Sequence, residues 1–155
     1  MRGTKAATRY ATALLEFSVE KNVLDDVFQD MVYLHSLVLE NYDFQSFLKN
    51  PIIDSEKKKE IFSSIFGQFN PVTIQFIHLM AHNKRENILL DISASFIDQY
   101  KTKNGIVPVT ITSAQKLEDK VRKEILEKIK KEVNGKIELT ELIDASLIGG
   151  FMVRM

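Results

Sequence analysis

The chain has 155 residues, and its 21 Lys and Arg are balanced by 21 Asp and Glu, so the formal net charge is zero. A protein that binds duplex nucleic acid normally carries a basic excess to neutralise phosphates, so the balance disfavours that class. The absence of cysteine excludes disulfides, thiolate nucleophiles and zinc sites built on cysteine. The length fits one or two small domains.

Two further classes find no support in the sequence. No run approaches the roughly 18 apolar residues that a membrane-spanning helix needs. The first residues lack the unbroken apolar core of a secretory signal. We therefore expect mature structure in a cytosolic protein.

The opening segment Thr4–Val19 has an unusually wide apolar face. On a helical wheel its uncharged arc covers roughly two-thirds of the circumference, against about 100° for a helix seated on a single core. Such a helix either runs through the middle of a bundle or keeps a second apolar surface for another chain. This stretch alone leaves both interpretations open.

Helical spacing of apolar residues continues as far as residue 104. Asn22 is a candidate cap for the second helix, Asp54 or Ser55 for the fourth, and Asn70 followed by proline for the fifth. We interpret the charged run 56–60 as a solvated first turn. After the opening segment, five helices are predicted, over about 22–38, 44–48, 55–66, 72–83 and 86–103.

The fifth predicted helix, like the first, has an unusually wide apolar face. Its polar residues Gln75, His78 and His82 fall in a narrow sector, so its apolar arc exceeds half the circumference. Surplus apolar surface in a soluble protein is most often a contact for another chain. The two helices together predict an interaction protein with a groove that accepts an apolar helix.

The period changes after Gly105. Alternating apolar residues predict a strand over 107–111, in which Pro108 requires an edge position or an unpaired start. Ser113 is the expected cap of a charged helix with an apolar residue at every fourth position, and strands are predicted over 137–143 and 147–155. The predicted fold is α+β, with a six-helix bundle over 1–104 and a small strand–helix–strand–strand domain over 105–155.

No constellation of catalytic residues emerges, so we predict a protein that is not an enzyme and has no cofactor. His78 and His82 have the spacing of paired metal ligands, but the residue after His78 is Leu79 and no third ligand is evident. Gly149-Gly150 lies in a strand pattern without a lysine or a following helix. A small histidine-based metal-binding protein and a generic helix-binding adaptor remain as alternatives.

Three segments in the same order resemble a known family. Ala7–Leu14 (ATRYATAL), Phe76–Arg85 (FIHLMAHNKR) and Ile143–Phe151 (IDASLIGGF) are similar to motifs of the delta subunit of bacterial F-type ATP synthases. These are relatives of the mitochondrial oligomycin-sensitivity-conferring protein. The resemblance covers essentially the whole chain, and its last segment is the most specific.

The resemblance implies a non-catalytic stator, or peripheral stalk, subunit of a proton- or sodium-translocating ATP synthase. The helical domain would bind the N-terminal helix of an alpha subunit between its first and fifth helices. The C-terminal domain would meet the b subunits of the stalk. The implied location is peripheral, at the cytoplasmic face of the bacterial cell membrane, with indirect membrane association and no nucleic acid partner.

The predicted groove has a defined set of lining residues, and Ala7, Ala11 and Leu14 should face the bundle instead. The family also continues past its Gly-Gly strand with a turn, a further strand and a closing basic helix, so we expect the C-terminal domain here to be incomplete relative to the family. Six residues form the predicted groove: Tyr10, Ala13 and Leu79 match family positions, and Phe17, Phe76 and Met80 are added from the wheel.

Overall fold

A computed structural model describes residues 4–155 and confirms the predicted α+β class. The described residues contain seven α-helices, a 3-10 turn at Glu86–Ile88 and three β-strands. The helices are α1 (Lys5–Glu20), α2 (Leu24–Glu40), α3 (Tyr42–Lys49), α4 (Ser55–Ile65), α5 (Pro71–His82), α6 (Leu89–Lys103) and α7 (Asp119–Glu132). The strands are β1 (Ile106–Ser113), β2 (Lys136–Ile143) and β3 (Phe151–Arg154).

The chain divides into two compact units, one up to Tyr100 and the other from Lys101 to Met155. The division falls within the last turn of α6, because this helix extends to Lys103. The first unit has a single apolar core to which all six of its helices contribute. Its largest fully buried side chains are Phe62, Phe66, Phe96, Met31, Leu34, Ile77, Met80, Leu89, Ile92, Val27 and Val38.

The turn between α1 and α2 differs from the sequence-based prediction. Asn22 does not cap α2, whose N-cap is Val23 without a side-chain hydrogen bond. It instead adopts a left-handed φ of 56° after the end of α1. The amide of Val23 donates to the Ser18 carbonyl, and the amide of Asn22 donates to the Val19 carbonyl. This is the Schellman arrangement, for which asparagine is also favoured.

The start of α5 agrees with the prediction. The Asn70 side chain accepts a hydrogen bond from the Val72 amide at 2.9 Å, and Pro71 occupies the first helical position. The helix ends in a second Schellman turn, in which Lys84 has a φ of 57° and the Arg85 amide donates to the Met80 carbonyl. Local capping chemistry therefore fixes both ends of α5.

The second unit is a three-stranded sheet in the order β2-β1-β3. Strands β1 and β2 are parallel and connected through α7, whereas β3 is antiparallel to β1. Val109 and Ile111 of β1 are fully buried in one core with Ile125 and Ile129 of α7. The apolar stripe predicted for the charged helix is thus its buried face.

Of the two positions predicted for Pro108, an edge strand or an unpaired start, the structure shows the second on one side of the strand. Strand β1 is central, but β3 pairs only with Thr110–Ser113, so the start of β1 is unpaired on that side. Because β3 does not reach Pro108, the backbone N–H that proline lacks is not needed for pairing on that side. The predicted cap of α7 is wrong. Ser113 ends β1 and donates through its hydroxyl to the Gln115 carbonyl at 2.6 Å, while Glu118 occupies the N-cap of α7.

Candidate partner-binding site

Helix α1 has two apolar faces, and only one of them is buried by the helical unit. Ala7 and Ala11 are 0% exposed and Leu14 is 3% exposed, so these residues face the bundle. On the other side, Ala13 is exposed and Phe17 is 41% exposed. Ala13 and Phe17 therefore belong to the part of the apolar arc of α1 that the helical unit leaves uncovered.

Hydrogen bonds fix the rotation of α1 about its axis. The Thr12 hydroxyl donates to the side-chain oxygen of Gln99 on α6 at 3.0 Å. The same Gln99 donates to the Thr8 carbonyl at 3.4 Å. The buried Ser18 hydroxyl donates to the Leu14 carbonyl at 2.6 Å, a bond within α1 that does not constrain its rotation. The helix cannot turn Phe17 inward without breaking the two hydrogen bonds to Gln99.

Tyr10 extends from the bundle to the surface of α1, and the exposed Phe17 has a cation beside its ring. Tyr10 is half-buried and packs against the apolar core, which leaves part of its ring exposed. The Lys21 ammonium lies 5.5 Å from the centre of the Phe17 ring. A cation at this distance is attracted by the ring quadrupole, which restricts the positions of the phenyl group.

Helix α5 places only one of its three predicted groove residues at the surface. Leu79 is 50% exposed, whereas Phe76 is 9% exposed and Met80 is 0% exposed. Met80 therefore lies in the core and offers no surface to a partner, and Phe76 offers little. The helical wheel overestimates the free face because α5 packs against both α2 and α4, which together cover most of its apolar arc.

A carboxylate on α2 fixes the N-terminus of α5. Oδ2 of Asp30 accepts hydrogen bonds from the Asn70 amide at 2.8 Å and from the Thr73 hydroxyl at 2.7 Å. Burial and the nearby Asp26 charge raise the pKa of Asp30, and together they outweigh the two hydrogen bonds, which lower it. No local pattern in the sequence relates residues 30 and 73, so sequence analysis missed this link.

The charged run at residues 56–60 is only partly solvated. Lys58 is 2% exposed and forms an ion pair with Glu86, which is 7% exposed. The prediction of a fully solvated turn is wrong at this position, because Lys58 points inward one turn after Asp54 caps the helix. The local sequence does not show which of the three consecutive lysines is buried.

The two histidines of α5 do not form a metal-ligand cluster with other side chains. Among the described residues, no group of three or more His, Asp or Glu side chains is placed to hold a metal ion. Nε2 of His78 lies 3.0 Å from the Ser63 hydroxyl on α4, and His82 is exposed.

Comparison with known proteins decides the family. The sequence profile described as ATP synthase delta (OSCP) subunit matches residues 6–155. The chain belongs to this family. The ATP synthase subunit delta of Cytophaga hutchinsonii is 33% identical over 156 residues, which span 100% of this chain and 85% of the relative. That of Carboxydothermus hydrogenoformans is 32% identical and spans 100% of this chain and 88% of the relative.

The structure is also similar in fold to a chain of a solved ATP synthase. A chain from the mitochondrial ATP synthase hexamer of Toxoplasma gondii superimposes with a TM-score of 0.78 at 20% identity, covering 97% of this chain and 84% of that chain. Family membership makes the protein a peripheral stalk subunit of an F-type ATP synthase. Within residues 4–155, no helix combines the length and the apolar character that a membrane crossing requires.

Proposed function

We propose that this chain is a non-catalytic joint of the stator, which binds the N-terminal helix of an alpha subunit through its helical unit. The proposed contact surface consists of Tyr10, Ala13 and Phe17 on α1 and Leu79 on α5, with Phe76 at its margin. The unit from Lys101 onward meets the b subunits of the peripheral stalk. The complex is located at the cytoplasmic face of a bacterial membrane.

The observation that carries the proposal is the exposed second face of α1. The other face packs inside the helical unit, where Ala7, Ala11 and Leu14 are 3% exposed or less, so the exposed face takes no part in that packing. The exposed side combines a methyl-sized residue, Ala13, with the aromatic ring of Phe17. Small residues allow a neighbouring helix axis to approach closely, and an aromatic ring supplies the apolar area of a helix-in-groove contact.

Leu79 supplies a second point of support on another helix. It is half-exposed although it lies between core residues on a strongly apolar helix. Complete burial of a leucine contributes roughly 1.5–3 kcal/mol, so covering the exposed half is worth about 1 kcal/mol. Placing a carboxylate there adds the cost of burying a charge without a partner.

Calorimetry with a synthetic peptide of the alpha-subunit N-terminal helix tests the assignment. We expect 1:1 binding to the wild-type chain and a loss of affinity of at least about tenfold for Leu79→Asp and Tyr10→Asp. Leu39→Asp on α2 is the matched control, since Leu39 is 58% exposed and lies outside the proposed surface. Equal affinities for Leu79→Asp and Leu39→Asp would show that the peptide binds elsewhere.

A further inference from the structure

Four exposed charged residues form a strip along α1 beside the proposed contact surface. This charged strip consists of Lys5, Arg9, Glu16 and Glu20. Their spacing of four, seven and four residues places them on one side of the helix. Arg9 lies four residues before Ala13 and Glu16 lies three residues after it, so both are neighbours of Ala13 on the helix surface. The contact surface is thus bordered by basic side chains along one half of α1 and by acidic side chains along the other.

The charged strip does not stabilise α1 itself. A helix macrodipole favours acidic side chains near the N-terminus and basic side chains near the C-terminus, and the strip has the opposite order. Like charges four residues apart also repel each other, and the strip contains two such pairs, Lys5 with Arg9 and Glu16 with Glu20. Both local effects lower the stability of the helix.

No other described residue compensates these charges. Within residues 4–155, no side chain of the strip takes part in an ion pair or a hydrogen bond. The local cost of the arrangement is therefore not offset inside the helical unit. A partner with the complementary order of charges would offset it.

The order of the charges specifies the kind of partner. A helix lying along the contact surface meets positive charge beside Lys5 and Arg9 and negative charge beside the two glutamates. The midpoints of the two like-charge pairs, at positions 7 and 18, are 11 residues apart, which is about 16 Å along the helix axis. A complementary helix therefore has acidic residues toward one end and basic residues about 11 positions away.

The direction of such a helix follows from its own macrodipole, which favours acidic residues near its N-terminus and basic residues near its C-terminus. We propose, on the basis of the function proposed above, that the alpha-subunit helix runs parallel to α1. Its acidic N-terminal half then lies beside Lys5 and Arg9, and its basic C-terminal half lies beside Glu16 and Glu20. The partial charges at helix termini, about half an elementary charge each, would alone favour an antiparallel helix, but each half of the strip carries two full charges.

Paramagnetic relaxation measures the direction of the bound helix. The synthetic alpha-subunit peptide carries a nitroxide at its N-terminus or at its C-terminus, and the amide signals of the isotope-labelled full chain are recorded with each. The 16 residues of α1 span about 24 Å, so its two ends are distinguishable. We expect the N-terminal nitroxide to broaden the amides of 5–9, and the C-terminal nitroxide to broaden those of 16–20.

The outcomes of this measurement separate the direction of the helix from the existence of the contact. The reverse pattern, or the same pattern from both labels, overturns the parallel direction and leaves the contact surface in place. Absence of binding, or binding that broadens neither end of α1, overturns the proposed function as well.

A pair of charge reversals separates binding from stability. Arg9→Glu/Glu16→Lys keeps the net charge and converts both like-charge pairs into opposite-charge pairs, so the midpoint of thermal unfolding should rise. The affinity for the unlabelled peptide should fall roughly fivefold at low ionic strength, and the loss should shrink in roughly 1 M salt, which screens exposed charges. Glu40→Lys/Lys49→Glu is the matched control, since both residues are exposed and lie outside the proposed surface. Equal affinities of the two double variants for the peptide overturn the proposal.

Discussion

Lys58 of α4 and Glu86 of the 3-10 turn form an ion pair that is almost withdrawn from solvent, with side chains 3% and 10% exposed. The Lys58 ammonium also donates to the Leu48 carbonyl at the end of α3, at 3.3 Å. One amine thus connects three elements of the helical unit. The other carboxylate oxygen of Glu86 is buried without a hydrogen-bond partner from the described residues, and Lys58 supplies the counter-charge of this carboxylate.

Replacing Lys58 by methionine should therefore lower the free energy of unfolding by about 3–5 kcal/mol, because the carboxylate stays buried without a counter-charge. The double variant Lys58→Met/Glu86→Leu should regain most of this loss, since it removes both desolvated charges. Urea unfolding followed by circular dichroism measures both effects. Lys57→Met, at an exposed neighbour, is the control and should change stability by no more than about 0.5 kcal/mol.

A larger side chain should lower stability on the buried face of α1 and leave stability nearly unchanged on the exposed face. Ala11→Leu forces a larger side chain into a site that is 0% exposed and should destabilise the protein by about 1–3 kcal/mol. Ala13→Leu extends into solvent and should leave the midpoint of thermal unfolding nearly unchanged, while weakening binding of the alpha-subunit peptide by filling the proposed contact. Equal losses of stability for the two variants would contradict the assignment of faces.

Asp30 should affect stability through its hydrogen bonds and through its proton. Asp30→Ala leaves the Asn70 amide and the Thr73 hydroxyl without an acceptor and should cost about 1–3 kcal/mol. Asp30→Asn keeps an acceptor oxygen and should cost less. Urea midpoints of the three proteins at neutral pH give this comparison.

The raised pKa of Asp30 fixes the sign of its pH dependence. Between the ordinary value of 3.8 and the raised native value, the folded state binds more protons than the unfolded state. The stability of the wild type relative to Asp30→Asn should therefore be greatest below pH 3.8 and fall as the pH rises through the native pKa. A difference that increases with pH over this window would contradict the assignment.

Gly135 should be intolerant of a side chain. Its φ is 143°, and a Cβ there would collide with the carbonyl oxygen of Gly105, which accepts the Lys136 amide at 2.9 Å. Gly135→Ala should therefore reduce hydrogen-exchange protection of the β1 and β2 amides. Gly105→Ala is the control: it has open space around the Cβ and should cost only the strain of a left-handed residue, roughly 1–2 kcal/mol.

Helix caps could be predicted from the sequence, whereas burial that depends on contacts with distant helices could not. Asn70, and Asp54 as one of two candidates, were predicted as caps because each interaction lies within three residues, and their side chains accept the amides of Val72 and Lys57. Asn22 was misassigned because asparagine suits both a cap and a left-handed turn. The burial of Lys58 and Met80 depends on which other helices pack there, and a single helical wheel does not contain that information.

The Thr12–Gln99 hydrogen bond joins the first helix of the helical unit to its last, across 87 residues of sequence. Two of the four buried residues of α1 are alanines and one is a serine, and these bury little apolar area by themselves. During synthesis, α1 leaves the ribosome before the other helices of the unit and can pack against α2 at once, but its hydrogen-bond partner on α6 follows 87 residues later. The helical unit therefore completes the packing of its first helix only when its last helix has been made.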